Sequence, residues 1–575
     1  MLLRRANSWD WLFVSLLLAL FPAFSAISGQ DVNYDARNYH LYSSLTFLAN
    51  DYGSDLLPGG TQTFLNPLAS LPAAWLYTGS MIIGPLLPTL LLSLLQGFAL
   101  VGIYAIGLLL LAGDRPLAFL AALLGGSAPL VLSEAGNTMA DLTLSLLSVS
   151  SLWCALRAVS GPGGPTQRRW LLALAAGLLG AAVGMKLTFV ITMPLLAAVL
   201  LLGPPPSQGL RQALHRIPQA TGLVLLPFLL SISLFASPQL IHSSLNTGSP
   251  IFPLFNNHFR SPLHEDVHPS EGRFQPDSWP AFLLAPLFDF TDSFFPPFDP
   301  QQDLQTRRSE VRFRDLRPLL WALSSLALLS LPALRHRLGR LQAALVLGLA
   351  SSYVFWLALS GIGRYAIPLQ LLQGLVIALL CRQLTAGLAL PRRPWLPSLL
   401  LAAALVCSLA SQIIPSWGRT GFESHWTTIS SASAPALVPL RDGRLQFPAD
   451  VPVVLLDRPI GWVKSHTLAS GNPLLNWDPG IAPASVGHSK LPMVHRGLQQ
   501  RLLDSGVSSF LVLVIPRGDA LPAERLRTFL AEAPLITAAG FEAGPCSHYQ
   551  TGSGVEDFSL CSVARPSAEP SGSAG

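Results

Sequence analysis

Apolar runs of bilayer-crossing length recur through the first 414 of the 575 residues, and nothing else in the sequence restricts the fold as much. About 18 consecutive apolar residues suffice to cross a hydrocarbon core as a helix. No water there can satisfy a peptide group, so each run must close its backbone hydrogen bonds within itself. The runs lie at about 9–27, 84–112, 116–132, 138–156, 217–236, 316–334, 341–359, 367–384 and 395–414. A further stretch, 170–202, is too long for one span and carries Lys186 in its middle, so it reads as two spans meeting there. The expected fold is a mainly α, polytopic membrane bundle of about eleven spans. Charged residues make up 12% of the chain, against roughly 25% in soluble proteins, which agrees.

The net charge of +5 does not indicate a nucleic-acid partner. Its arginines sit in short loops between the runs: Arg115, then Arg157, Arg168 and Arg169, Arg211 and Arg216, Arg335, Arg337 and Arg340, and Arg392 and Arg393. Counting spans from a cytoplasmic N-terminus marked by Arg4 and Arg5 puts all of these loops on one side, as the positive-inside rule requires. The segments 28–80, 237–315 and everything after 414 then face away from the cytoplasm.

After residue 414 short apolar runs at 451–456 and 510–515 alternate with helix-like stretches, so 415–565 reads as a small α/β domain. The residues 566–575 have the composition of a disordered tail. Cys546 and Cys561 are placed to pair if this domain lies in an oxidising compartment. Cys154, Cys381 and Cys407 fall in apolar runs as packing residues, and no metal-ligand spacing is present.

Chemistry-bearing side chains are few. Just after the first span comes Asp31-Val-Asn-Tyr-Asp35-Ala-Arg-Asn-Tyr39-His40-Leu-Tyr42. If it is helical, Asp35 and Tyr39 share a face and Asp31 lies one turn earlier. A carboxylate there can act as a general base; the same residues also fit a solvated juxtamembrane loop. Asp141 stands at the start of a span, where an acid either faces a polar cavity or serves the helix N-terminus. Lys186, the lone lysine of the apolar region, suits a phosphate ligand or a snorkelling side chain. Arg364-Tyr365 follows Gly361 and Gly363 at the outer face, against the positive-inside trend, which favours a ligand role over an orientation role; arginine also suits bidentate phosphate binding. The segment 246–256 reads as a structured turn, and the aromatic, acidic stretch 289–303 as a possible cleft rim.

Together these pieces resemble the GT-C class of membrane glycosyltransferases, which includes the protein O-mannosyltransferase and aminoarabinose-transferase families. The matching features are the Asp35 loop after the first span, Asp141, Gly184-Met-Lys186, Gly248-Ser-Pro250 and Arg364-Tyr365-Ala-Ile-Pro368, in that order. The chain departs from many relatives in having Ala36 after Asp35, so the second carboxylate is either absent or supplied by Asp31 or Asp141. The resemblance implies a polyprenyl-phosphate sugar donor, a glycan, lipid or protein acceptor, and inversion at the sugar. It casts Asp35 as base, with Asp31 and Asp141 as the further catalytic carboxylates. Lys186 and Arg364 become phosphate ligands, and Tyr39, His40 and Tyr365 line the substrate. A divalent cation (Mg or Mn) is used by some relatives and not by others, so the resemblance leaves a metal cofactor open. The rival readings are a polysaccharide polymerase or ligase, a transporter, and a non-catalytic scaffold.

Overall fold

The computed structural model describes residues 7–566, apart from 52–54, 161–162, 204–209, 268–273, 293–307, 310, 388–392, 434, 479–489, 516–520 and 553–555. Arg4, Arg5, most of the 289–303 stretch and nearly all of the tail lie outside the described residues.

Among the described residues seven helices are long and apolar enough to cross a membrane: α1 (Ser8–Ser28), α2 (Leu86–Leu110), α4 (Ala140–Ser160), α5 (Pro165–Met185), α7 (Gly222–Thr247), α9 (Arg340–Leu359) and α10 (Gly363–Ala386). Four shorter apolar helices complete the series: α3 (Arg115–Gly126), α6 (Leu187–Leu202), α8 (Arg317–Ser330) and α11 (Leu396–Ser411). Seven and four match the eleven expected spans in order, and the chain is a multi-pass membrane protein. The break between α5 and α6 falls on Lys186, whose extended backbone (φ −147°, ψ 108°) interrupts the helix as the sequence suggested.

One span is shorter than its apolar run. The run 116–132 gives only α3, because Pro129 starts a separate short helix, Pro129–Ser133. The start of α3 is capped by Asp114, which accepts from Leu117 N at 3.2 Å. Its end is held by the fully buried guanidinium of Arg317, which donates to Leu124 O at 2.7 Å, Ser127 O at 2.8 Å and Asp315 Oδ1 at 2.6 Å. Helix C-termini leave carbonyls unpaired, and here one side chain satisfies two of them. Near this end α10 comes so close that a Cβ on Gly125 would stand 2.3 Å from Leu371 O.

The chain divides into two compact units. The first holds residues 1–28, 89–236 and 271–417. The second gathers 29–88, 237–270 and 418–575, so both long loops between spans belong with the C-terminal region.

The second unit is built on a six-stranded sheet. Its strands are β1 (Ile429–Ser431), β2 (Val453–Leu456), β3 (Leu474–Asn476), β4 (Ser509–Val514), β5 (Glu542–Thr551) and β6 (Phe558–Ala564). They lie in the order β1-β5-β6-β4-β2-β3. β2 runs parallel to β3 and β4, and the remaining neighbours are antiparallel. Alternation along β2 serves two cores, as the pleat dictates. Val453 and Leu455 join Trp462, Tyr549, Leu41, Leu45 and Tyr77. Val454 and Leu456 join Trp477, Leu498, Phe529, Phe64 and Phe252. The first loop therefore supplies core residues to both faces of a sheet whose strands begin nearly 400 residues later.

Cys546 and Cys561 face each other across β5 and β6 and form a disulfide; Cys154 and Cys381 are buried thiols and Cys407 an exposed one. A cross-link closing a loop of this length stabilises by about 3 kcal/mol on a chain-entropy estimate. Cys546→Ser should accordingly lower the thermal midpoint of the second unit. Tryptophan fluorescence of the purified protein reads it through Trp426, Trp462 and Trp477.

Candidate active site

Buried ionisable groups that the sequence singled out are concentrated at one place in each unit. In the first, the turn between the short helix Pro129–Ser133 and α4 brings two carboxylates inside. Glu134 and Asp141 are both fully buried. Glu134 Oε2 accepts from Leu142 N at 3.0 Å and so caps α4 from seven residues ahead of Asp141. The turn is fixed further by Gly136 N donating to Gln96 Oε1 at 2.7 Å and Met139 N donating to Asn137 Oδ1 at 2.9 Å. Burial, with Asp141 nearby, pushes the Glu134 carboxyl well above the usual range, against the pull of Lys186 and Arg364.

Lys186, set free of helical geometry at the α5–α6 break, reaches Asp141 Oδ2 at 2.6 Å. Its Nζ also lies 5.0 Å from the centre of the Tyr365 ring. Arg364 lies over the same ring at 5.4 Å and over Trp417 at 6.0 Å, with Nη1 3.8 Å from Met139 Sδ. Two cations against one tyrosine ring, one of them already held by a buried carboxylate, make a compact positive site. Arg364 is delivered by the Gly361–Gly363 turn, where Gly363 N donates to Arg308 O at 2.6 Å and Trp356 Nε1 to Ile362 O at 2.8 Å. Arg308 is itself clamped by Asp289 at 3.0 Å and by Phe274 O. Asp289, expected on a cleft rim, instead takes part in this clamp.

In the second unit the segment after α1 is helical only in part. Asp31 lies on a two-residue strand paired with Arg419–Thr420, not one helical turn before Asp35. Its Oδ1 accepts from Asn33 N at 2.9 Å and Asn33 Nδ2 at 2.7 Å, and Asn33 Oδ1 in turn accepts from Ala36 N at 2.7 Å. From Ala36 to His40 the chain forms a π-helical turn in place of the expected α-helix, and Leu41–Ala49 continues as α-helix. Such turns are uncommon and concentrate at functional sites. Asp35 and Tyr39 are buried, and the rings of Tyr39 and His40 meet edge to face at 4.5 Å. This burial rules out the reading of a wholly solvated loop.

The turn is surrounded by ion pairs. Arg37 Nη1 reaches Glu556 Oε1 at 2.5 Å. Tyr42 OH donates to Asp55 Oδ2 at 2.9 Å, and the fully buried Lys464 sits 3.0 Å from Asp55 and 2.7 Å from Asp51. Burial pushes the Asp55 carboxyl up, although Lys464 opposes this. The segment 246–256 is a structured turn, as expected: Ser243 Oγ donates to Ser249 O at 2.6 Å and Phe252 is buried.

The structure thus collects Asp141, Lys186, Arg364 and Tyr365 in one cluster and Asp31, Asp35, Tyr39 and His40 in another. Glu134, Arg37 and Glu556 were not singled out from the sequence. Only Glu134 left a signal there, as an acid just ahead of an apolar span. Among the described residues no three His, Cys, Asp or Glu side chains are grouped as metal ligands.

No family model and no curated relative matches the sequence. Among solved structures, ArnT from Cupriavidus metallidurans bound to undecaprenyl phosphate matches with a TM-score of 0.51 at 14% identity, covering 97% of this chain and 98% of that one. Apo ArnT from the same organism gives 0.51 at 15% identity, covering 96% and 97%. The archaeal oligosaccharyltransferase AglB from Archaeoglobus fulgidus, in complex with an inhibitory peptide and a dolichol-phosphate, is a looser likeness, with a TM-score of 0.41 at 12% identity, covering 96% and 74%. From α1 to the last strand this chain has the fold of ArnT, the polytopic architecture that its resemblance to the GT-C class implied.

Proposed function

We propose that the protein is a membrane glycosyltransferase that moves a sugar from a polyprenyl-phosphate donor to a glycan, lipid or protein acceptor at the outer face of the plasma (inner) membrane. The observation that carries this reading is the near full-length likeness to a structure that holds undecaprenyl phosphate. The Lys186–Arg364 pair around Tyr365 supports it, since such a pair suits a phosphate.

In this reading Asp35 takes the proton of the acceptor hydroxyl as its oxygen attacks the anomeric carbon. The bond from that carbon to the phosphate oxygen breaks, with inversion. The departing polyprenyl phosphate gains a charge that Lys186 and Arg364 neutralise, a stabilisation greatest in the transition state. Asp141 keeps Lys186 in place. Asp31 fixes Asn33 and so the start of the π turn. Tyr39, His40 and Tyr365 shape the sugar and acceptor surfaces. The N-terminus is cytoplasmic and the sheet domain extracytoplasmic.

The test is a mass-spectrometric survey of surface glycans and lipid-linked sugars in a deletion strain. One sugar modification should disappear and its lipid-linked donor should accumulate. Unchanged glycan and donor pools would refute the reading.

A further inference from the structure

The sheet domain meets the π turn at several points, and one of them involves charge. Glu556, in the connection from β5 to β6, is buried. Its Oε1 accepts from Arg37 Nη1 at 2.5 Å and Arg458 Nη1 at 3.2 Å, and its Oε2 from Trp462 Nε1 at 3.1 Å. Its own N–H donates to Thr551 Oγ1 at 3.1 Å, so the carboxylate is tied to the end of β5. Arg37 lies two residues from Asp35, and its Nε has no acceptor among the described residues. Glu556 is therefore the group that fixes this guanidinium. Gly461 packs beside it so tightly that a Cβ there would stand 2.2 Å from Asn38 O and 2.8 Å from Tyr42 Cβ.

We infer that Glu556 is a positioning residue for the transfer reaction: it anchors the π turn that bears Asp35 and offsets the two guanidinium charges around it. The inference rests on the reading of Asp35 as base. The ionisable groups around the turn include Asp31, Tyr34, Arg37, His40, Arg458 and Glu556, and the Lys464–Asp55–Asp51 group that Tyr42 joins. Asp35, Arg458, Arg37 and Glu556 all lie close enough to act on the Tyr34 hydroxyl. Glu556 offsets the charges of Arg37 and Arg458 beside Asp35. Removing it would make the surroundings of Asp35 more positive and would leave Asp35 a weaker base. The C-terminal domain is then part of the catalytic apparatus, and not only a cap on the loops.

The test uses the full-length protein in membranes of the deletion strain, which hold the accumulated lipid-linked donor. Initial transfer rates are read by mass spectrometry across pH for wild type, Glu556→Gln, Glu556→Asp and Asp35→Asn at matched protein levels. Gel filtration in detergent checks the fold. Glu556→Gln should lower the rate by roughly tenfold and move the acidic limb of the pH profile to lower pH by about half a unit, and Glu556→Asp should recover part of both. Wild-type rate and profile in Glu556→Gln, with Asp35→Asn inactive, would overturn the inference and leave the transferase reading intact. So would a loss of rate with an unmoved limb and no recovery in Glu556→Asp, the pattern of a merely structural residue. An active Asp35→Asn would instead remove the reading on which the inference rests.

Discussion

Asp35→Asn should accumulate in the membrane at the wild-type level and restore none of the missing glycan to a deletion strain. The substitution keeps the size and most of the hydrogen-bonding capacity of a buried side chain beside the π turn, so the local fold has little reason to change. What it removes is the ability to accept a proton. General base catalysis contributes about 10²–10⁴ in rate, so transfer should fall by at least roughly a hundredfold. The mass-spectrometric glycan profile, with protein quantified by immunoblot, measures both halves of the expectation. A profile fully restored by Asp35→Asn would mean that another group takes the proton.

The second large effect concerns the pair in the first unit. Lys186→Met leaves the fully buried Asp141 without its cation and beside Glu134, a second buried acid. Breaking a buried ion pair from one side costs about 3–5 kcal/mol, so this variant should be poorly folded as well as inactive. Asp141→Asn added to Lys186→Met removes the stranded charge. The double variant should regain a monodisperse gel-filtration profile and a near wild-type thermal midpoint, yet remain inactive, because the leaving phosphate has lost one of its cations. Activity in that double variant would show that Lys186 serves the fold alone.

Most of the fold could be read from the sequence because a bilayer admits so few solutions. Each of the eleven spans was visible as an apolar run, and the break at Lys186 was visible because no single helix of that length fits. The α/β character of the C-terminal region was visible as short apolar runs between helix-like stretches, but those runs marked only β2 and β4 of the six strands. The early end of α3 was hidden because Leu124 and Ser127 look like span residues, and only the distant Arg317 shows that their carbonyls are claimed by a side chain.

Asp141, Lys186, Arg364 and Tyr365 stood out as polar residues among apolar ones, and the structure groups them. Glu556 could not stand out. A glutamate in a polar hairpin is ordinary until Arg37, more than 500 residues earlier, is found on its carboxylate. The π turn was hidden for a related reason: no local propensity distinguishes it from α-helix, and its neighbours Gly461 and Glu556 are remote in sequence.

Because the second unit is assembled from three separated stretches of chain, its folding is tied to the timetable of synthesis. The stretch 29–88 leaves the ribosome about 330 residues before 418 does. At roughly 5–20 residues per second that is an interval of about 15–65 seconds. For that time Leu41, Leu45 and Tyr77 have no sheet to rest on, and Asp31 has no strand partner. The nascent first loop is thus a natural client for chaperones during biogenesis. A ribosome that stops short of Glu556 releases a chain whose transmembrane helices are all present but whose π turn lacks its anchor.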